Sequence, residues 1–167
     1  MGRVEVSAVQ ETEKPCFSAI LRVYLSELFV FSGEKIANRT FDYRHLDAYW
    51  IEPDRWPFWI ISDGRICGFA LVRRREDSVF EMAEFYVDPA SRRGGVGSKA
   101  AMLLFRRFSG KWCVSAFAEN SVAVMFWRNL AKEFDSAERF AGNRVEQTFD
   151  TSRGAAGKQS QLVSPQI

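Results

Sequence analysis

Residues 91–100 read SRRGGVGSKA and place three glycines between two arginines and a segment of helical periodicity. Glycine lets a backbone approach a ligand closely, and the free N–H groups at the start of a helix attract anions. Arg92 and Arg93 add positive charge at the same place. The stretch therefore predicts an anion-binding loop between a strand and a helix.

Two common phosphate-binding motifs fit this loop poorly. A Walker loop needs Gly-Lys followed by Ser or Thr, whereas Gly97, Ser98 and Lys99 stand in a different order. Residues 95–100 formally match the dinucleotide fingerprint G-x-G-x-x-A. However, residues 88–94 separate them from the preceding strand, and too little chain follows for several parallel strands. A glycine-rich turn that holds no ligand is a further alternative.

The chain before the loop predicts an antiparallel start. Residues 57–74, PFWIISDGRICGFALVRR, are two apolar runs joined by Asp63-Gly64, which is a strong hairpin signal. A third strand is expected at 79–87, after a turn at Glu76-Asp77. Residues 4–9 predict an earlier strand and 14–31 a helix, and 41–56 predict only a short helix or a loop.

After the loop, helices and strands alternate. The pattern predicts a helix from Val96 to Phe108, a strand at KWCVSAF (111–117), a second helix at 121–134 and a last strand near 145–149. We expect an α/β fold, a mixed sheet with helices on its faces. Residues 1–150 would form one domain and residues 151–167 a polar tail.

Composition limits the kinds of partner. The 167 residues are 47% hydrophobic with a net charge of +2, too small to indicate nucleic acid or a membrane. Cys16, Cys67 and Cys113 have no metal-ligand spacing and are expected to be reduced, buried thiols. The N-terminus lacks the apolar core of a signal peptide, and no apolar run is expected to span a bilayer. We expect a cytoplasmic protein without a metal.

Two segments together resemble a known superfamily. RxxGxG at residues 92–97 resembles the cofactor motif R/Q-x-x-G-x-G/A of the GNAT acyltransferases, and NxxAxxFW at 120–127 resembles that family's N-x-x-A-x-x-F-Y/W segment. The clear resemblance covers residues 58–134, and this run looks like a bacterial subgroup of predicted acetyltransferases. It implies a GNAT-like fold, in which antiparallel N-terminal strands precede a β-loop-α-β-α half that binds the cofactor.

The resemblance also implies a ligand, acyl-coenzyme A and usually acetyl-CoA. The loop would hold the pyrophosphate, the strand before it would hydrogen-bond the pantetheine, and Asn120 would form the opposite wall. The cofactor-binding residues expected on this basis are Phe85, Tyr86, Val87, Arg92, Arg93, Gly94, Gly95, Val96, Gly97, Ser98, Asn120, Phe126 and Trp127.

Acyl transfer to an amine needs a base, and the family usually places a carboxylate on the strand before the loop. Glu81 and Glu84 are the candidates, with Glu84 preferred. Being three residues apart, they are expected to point to opposite faces, so that only one reaches the cleft. Glu119, after the next strand, is a third candidate.

The group that assists the leaving thiolate is less obvious. Many relatives have Tyr where Trp127 stands, and an indole N–H can donate a hydrogen bond but cannot act as an acid. Tyr86 could serve instead, or the thiolate could leave unaided. His45 is expected to be structural or exposed. Cys113 is expected in the core, because no adjacent base indicates an acyl-cysteine role.

The preferred function is an N-acetyltransferase that moves an acetyl group from acetyl-CoA to a primary amine by direct attack in a ternary complex. A non-catalytic acyl-CoA-binding or sensing module is the alternative. Nucleic-acid binding through the arginines at 73–75, 92–93 and 106–107 is disfavoured, because acidic residues balance them. The acceptor, a small-molecule or peptide amine, would be set by the first helix, residues 34–40 and residues 41–56. A homodimer is one further expectation from the family.

Overall fold

The computed structural model describes residues 2–32 and 43–153, which form a seven-stranded sheet and four α-helices. In chain order the elements are β1 (Val4–Ala8), α1 (Lys14–Ser32), α2 (Ala48–Ile51), β2 (Arg55–Ser62), β3 (Arg65–Arg74), β4 (Phe80–Val87), α3 (Val96–Arg107), β5 (Lys111–Phe117), α4 (Ser121–Ala131), β6 (Ala137–Ala141) and β7 (Arg144–Asp150). The predicted mixed α/β fold is confirmed.

The strands lie in the order β1-β2-β3-β4-β5-β7-β6. All neighbours are antiparallel except β4 and β5, which run parallel. The β2–β3 hairpin turns at Asp63 and Gly64, whose φ angles of 50° and 76° are the left-handed values that a tight hairpin turn requires. The antiparallel start of the chain therefore follows directly from a local sequence signal.

Helices cover both faces of the sheet. On one face α3 and α4 bury Leu104, Phe105 and Leu130 against strand residues that include Trp112 and Val114. On the other face α1 and α2 pack against β2, β3 and β4, and bury Phe17, Leu21, Tyr49, Trp59, Phe69 and Leu71. We call these the α3/α4 face and the α1 face. One core thus lies on each side of the sheet, whose central strand is β4.

Several expectations about element limits need correction. Strand β6, which pairs with β7 at the sheet edge and is exposed along most of its length, was not predicted from the sequence. Thr151 donates its backbone N–H to the Gly110 carbonyl at 2.8 Å, so the folded chain extends into the segment predicted as a tail. Cys67 and Cys113 are buried as predicted, but Cys16 is exposed on α1. The expected tail residues 154–167 and acceptor-side residues 34–42 lie outside the described residues.

The first helix also changes one expectation. Within the described residues, Glu11–Ser32 is the one helix that could cross a membrane by length and composition, with 22 residues and a mean hydropathy of 1.3. The expectation that no apolar run has this length is therefore wrong. Phe17 and Leu21 of this helix are buried against the sheet, and core helices of soluble proteins can have the same length and hydropathy. The helix is thus weak evidence for a membrane.

Candidate active site

The strands β4 and β5 pair over only two residue pairs, Phe80 with Trp112 and Glu81 with Cys113. Beyond these pairs they separate and leave a cleft of about 80 Å³ that helices α1 and α4 and strand β7 help to enclose. Its walls are formed by Tyr24, Leu28, Met82, Ala83, Glu84, Phe85, Ser115, Ala116, Phe117, Asn120, Ala123, Trp127 and Arg144. Because β4 has no strand partner on this side of the opening, its backbone groups are available to an extended ligand.

A β-bulge in β4 determines where its carboxylates point. Leu71 of β3 pairs with Glu84, and Val72 pairs with Met82, so Ala83 is an extra residue in β4. Glu81 pairs with Arg73, which shares a face with Leu71. Both glutamates therefore lie on the α1 face. The prediction that they point to opposite faces is wrong, because strict alternation does not hold across a bulge.

The two glutamates have different surroundings. Tyr24 on α1 donates its hydroxyl to Glu84 Oε2 at 2.6 Å. Burial raises the pKa of Glu84, while hydrogen bonds from Tyr24 and Tyr43 oppose the rise. Glu81 instead forms an ion pair with Arg73 that is partly open to solvent. Glu119 is exposed after β5. Glu84 is thus the carboxylate that lines the cleft, and burial raises its pKa above the ordinary carboxyl value, which favours a role as proton acceptor.

The glycine loop lies between β4 and α3. Asp88 caps a short turn by accepting the N–H of Ala90 at 3.3 Å, and Gly95 enters α3 with φ of 76°. A side chain added at Gly94 or Gly95 would meet no atom within 4 Å. The first-turn N–H groups of α3, from Val96 to Ser98, have no partner within the helix. The loop therefore presents bare backbone donors to open space, as an anion site requires.

The two loop arginines differ from each other. Arg92 donates from Nε to the Val87 carbonyl at 2.7 Å and from Nη2 to Glu27 Oε2 at 2.8 Å, and its guanidinium lies 5.5 Å from the Tyr86 ring centre. These contacts fasten the loop to the end of β4 and to α1, rather than leaving the side chain free for a phosphate. Arg93 is exposed and has a φ of 66°. Arg93 is accordingly the freer cation of the two.

Helix α4 completes the other wall of the cleft. Asn120 caps this helix by accepting the Ala123 N–H at 3.1 Å. Phe85 of β4 stacks on Phe126 at 5.8 Å between ring centres and meets Trp127 edge-on at 5.1 Å. A side chain added at Gly97 would lie 3.4 Å from the Phe126 ring, so this glycine also lets α3 pack closely against α4. Both predicted motifs therefore meet at one place.

Three polar residues of the cleft were missed by sequence reasoning. Tyr24 lies on α1, sixty positions from Glu84. Ser115 on β5 and Arg144 at the start of β7 contact each other, with Arg144 Nε 3.0 Å from Ser115 Oγ. Of the three, only Arg144 could have been located from the sequence. Gly142-Asn143 forms a two-residue hairpin turn, and such a turn predicts that the next residue, Arg144, begins a strand.

The remaining candidates lie outside the cleft. Arg73, Arg74 and Arg75 pair with Glu81, Asp54 and Asp77, as expected for charges at the end of a hairpin. Burial raises the pKa of Cys113 to about 11, which disfavours a nucleophilic thiolate. His45 is exposed. Within residues 2–32 and 43–153 no three metal-ligating side chains cluster, and the absence of a metal from the reaction stays a prediction.

Comparison with known proteins agrees with this geometry. A model of the acetyltransferase (GNAT) family matches residues 17–131, which is more than half of the chain. The chain belongs to the GNAT acetyltransferase family. No curated protein sequence matches it. The match extends the resemblance from residues 58–134 to helix α1, the helix that contributes Tyr24.

Solved structures of this GNAT fold share little sequence with the chain. The PaiA N-acetyltransferase of Thermoplasma acidophilum, in complex with coenzyme A, has a TM-score of 0.67 at 10% identity over 89% of this chain and 99% of its own. The spermidine N-acetyltransferase of Vibrio cholerae, in complex with coenzyme A and spermine, has a TM-score of 0.67 at 10% identity and covers 89% of this chain and 96% of its own. The ribosomal-protein-S18-alanine N-acetyltransferase of Escherichia coli has a TM-score of 0.61 at 14% identity and covers 95% of this chain and 99% of its own. At such identities the likeness shows the fold alone.

Proposed function

We propose that this GNAT protein is an N-acetyltransferase that transfers an acetyl group from acetyl-CoA to a primary amine. The observation that carries the proposal is the separation of β4 from β5 directly beside a loop of bare backbone N–H groups. An acyl-pantetheine chain could pair with the free edge of β4 while its pyrophosphate meets the start of α3. Relatives of the same fold bind coenzyme A, which supports this placement.

The chemistry follows from the cleft. Glu84 accepts the proton of the attacking amine, directly or through water, because it is the carboxylate on the cleft wall and burial raises its pKa. The amine attacks the thioester carbonyl carbon, the C–N bond forms, and the electron pair of the broken C–S bond goes to sulfur. Coenzyme A supplies the activated acyl group, and the chain supplies orientation, the base and exclusion of water.

The acceptor is an amine on a small molecule or a peptide. Named relatives of this fold act on a ribosomal-protein alanine or on spermidine, which supports this class without narrowing it. Trp127 in place of a phenol fits the alternative, a non-catalytic acyl-CoA-binding module, whereas Glu84 and its phenol donor are both in place for turnover. A cytoplasmic location and a homodimer stay predictions.

Calorimetric titration of acetyl-CoA tests the proposal. Wild type is expected to bind it with micromolar affinity, and Gly94→Glu is expected to lose binding because its carboxylate would occupy the anion site. Gly94→Ala is the matched control, since a methyl group at this position meets open space. A folded wild type that fails to bind would overturn the proposal. Binding without release of coenzyme A on a panel of polyamines, amino acids and peptides would favour the non-catalytic module.

A further inference from the structure

The cleft contains a polar pair on its β5 side that the proposed chemistry has not used. Arg144 Nε donates to Ser115 Oγ at 3.0 Å, and Arg144 Nη2 lies 3.4 Å from the Ser115 carbonyl oxygen. The guanidinium also packs 4.5 Å from the centre of the Phe117 ring. Three contacts therefore hold this arginine in one orientation on the wall of the cleft.

The direction of the first hydrogen bond determines what Ser115 can offer. Its oxygen accepts from Arg144, so its own O–H is directed elsewhere. Within residues 2–32 and 43–153 no acceptor for that hydroxyl proton is seen, although the residue is half-buried. Ser115 shares the cleft with Trp127, the residue that stands where many relatives have a phenol. A hydroxyl donor without an acceptor thus lies in the same cavity.

Charge around the cleft favours an anion near this pair. The charged or titratable side chains that line it are Glu84 from β4, Tyr24 from α1 and Arg144 from β7. Glu146, the cross-strand neighbour of Ser115 on β7, is neutralised by an ion pair with Arg139. No carboxylate forms an ion pair with Arg144 in the part of the chain that the structure describes. Burial raises the pKa of both Glu84 and Tyr24, and the positive charge of Arg144 opposes both rises. Arg144 is therefore the positive group of the cleft.

We propose that Ser115 donates a hydrogen bond to the sulfur of coenzyme A as the thioester breaks, and that Arg144 positions Ser115 and stabilises the negative charge on that sulfur. This inference rests on the proposed function. The electron pair of the C–S bond stays on sulfur, and Glu84 takes the amine proton. Ser115 keeps its own proton, because a hydroxyl is a far weaker acid than a thiol. Coenzyme A leaves as a thiolate that water protonates.

The thiol of bound coenzyme A provides a test that needs no acceptor. Ultraviolet absorbance of the thiolate is followed against pH with unacylated coenzyme A bound, and the spectrum of the protein alone is subtracted to remove its cysteines. At neutral pH the thiolate-to-thiol ratio in wild type is expected to exceed that of free coenzyme A about tenfold. Ser115→Ala should lower the ratio several-fold, and Arg144→Met should remove most of the increase.

Arg74→Met is the matched control, since Arg74 lies at the end of β3, donates to Asp54 Oδ1 at 2.6 Å and is absent from the cleft wall. It should leave the ratio at the wild-type value. Ser115→Ala should also lower kcat about tenfold with little change in KM for acetyl-CoA. The conservative Ser115→Ala change keeps the test decisive if Arg144→Met fails to fold.

Two results would overturn the inference alone. One is a wild type that binds coenzyme A but shows the same thiolate-to-thiol ratio as free coenzyme A. The other is an Arg144→Met variant that raises KM for an acidic acceptor but leaves the ratio unchanged, which would assign Arg144 to acceptor recognition. Failure of wild type to bind coenzyme A would instead overturn the proposed function.

Discussion

The hydroxyl of Tyr24 donates to Glu84 Oε2 at 2.6 Å and thereby joins the first helix to the central strand β4. The contact has two opposing consequences for the carboxylate. Burial beneath α1 raises the pKa of Glu84, whereas the phenol donor stabilises the charged form. Burial also raises the pKa of Tyr24 well above the ordinary phenol value, so the phenol stays protonated and remains a donor.

Tyr24→Phe should shift the pH dependence of acetyl transfer. Removing the donor withdraws a stabilising bond from the ionised carboxylate, so the pKa of Glu84 rises further. The acidic limb of the kcat/KM profile is then expected to move to higher pH, and activity at neutral pH to fall several-fold. The lost bond should cost about 1–2 kcal/mol of stability, measurable by urea denaturation.

A double-mutant cycle supplies the control for this prediction. In a Glu84→Gln background, Tyr24→Phe should leave the pH profile unchanged, because no carboxyl group remains for the phenol to influence. An unshifted acidic limb in the single Tyr24→Phe variant would contradict the assignment of that limb to Glu84.

Glu84→Gln and Glu81→Gln should differ in their effect on turnover. Loss of a general base typically lowers kcat by about 10²–10⁴-fold, and this range is expected for Glu84→Gln. Glu81 forms a partly exposed ion pair with Arg73, so Glu81→Gln should cost only a few-fold in kcat and at most about 1 kcal/mol of stability. Steady-state kinetics of both variants on any accepted amine would check this prediction. Equal losses in kcat would contradict the assignment of Glu84 as the base.

The raised pKa of Glu84 also predicts a trend in stability. The folded protein holds this proton more tightly than the unfolded chain does, so the resulting stabilisation is complete below the ordinary carboxyl pKa. It is lost as pH rises through the raised folded value. Glu84→Gln does not titrate at this position and should gain stability relative to wild type across the same interval. Thermal unfolding of both proteins across that pH interval checks this. If the pKa of Glu84 were not raised in the folded state, the difference between their unfolding temperatures would be constant.

Much of the fold could be predicted because its signals are local. Asp63-Gly64 fixes the β2–β3 hairpin, and the glycine loop fixes the start of α3. The edge strand β6 was missed because its sequence, AERFA, shows no apolar alternation, and most of its residues face solvent. Its turn, Gly142-Asn143, was the available signal.

The interior of the cleft could be predicted only in part. The loop and Asn120 follow from spacing along the chain, but Tyr24 reaches Glu84 from sixty residues away through packing of α1. The bulge at Ala83 reversed the expected direction of one glutamate relative to the other. A bulge changes register without an obligatory sequence signature, so alternation alone could not show that both carboxylates share the α1 face.

In the glycine loop, the effect of a substitution on stability can be measured separately from its effect on ligand binding. Gly95 has a φ of 76°, where a side chain is strained, so Gly95→Ala should lose about 1–2 kcal/mol in the free energy of unfolding. The φ of Gly94 is not in this region, and the position is equally open, so Gly94→Ala should change stability by less than about 0.5 kcal/mol. Urea denaturation without ligand would measure both.

Acetyl-CoA should then stabilise the two alanine variants unequally. Gly94→Ala retains the backbone path of the loop, so saturating ligand should raise its unfolding temperature as much as that of wild type. Gly95→Ala can relieve its strain by moving the backbone at the start of α3, which would turn N–H groups away from the pyrophosphate. A smaller ligand-induced rise is therefore expected for Gly95→Ala. Equal rises in both variants would show that the backbone at Gly95 does not shape the anion site.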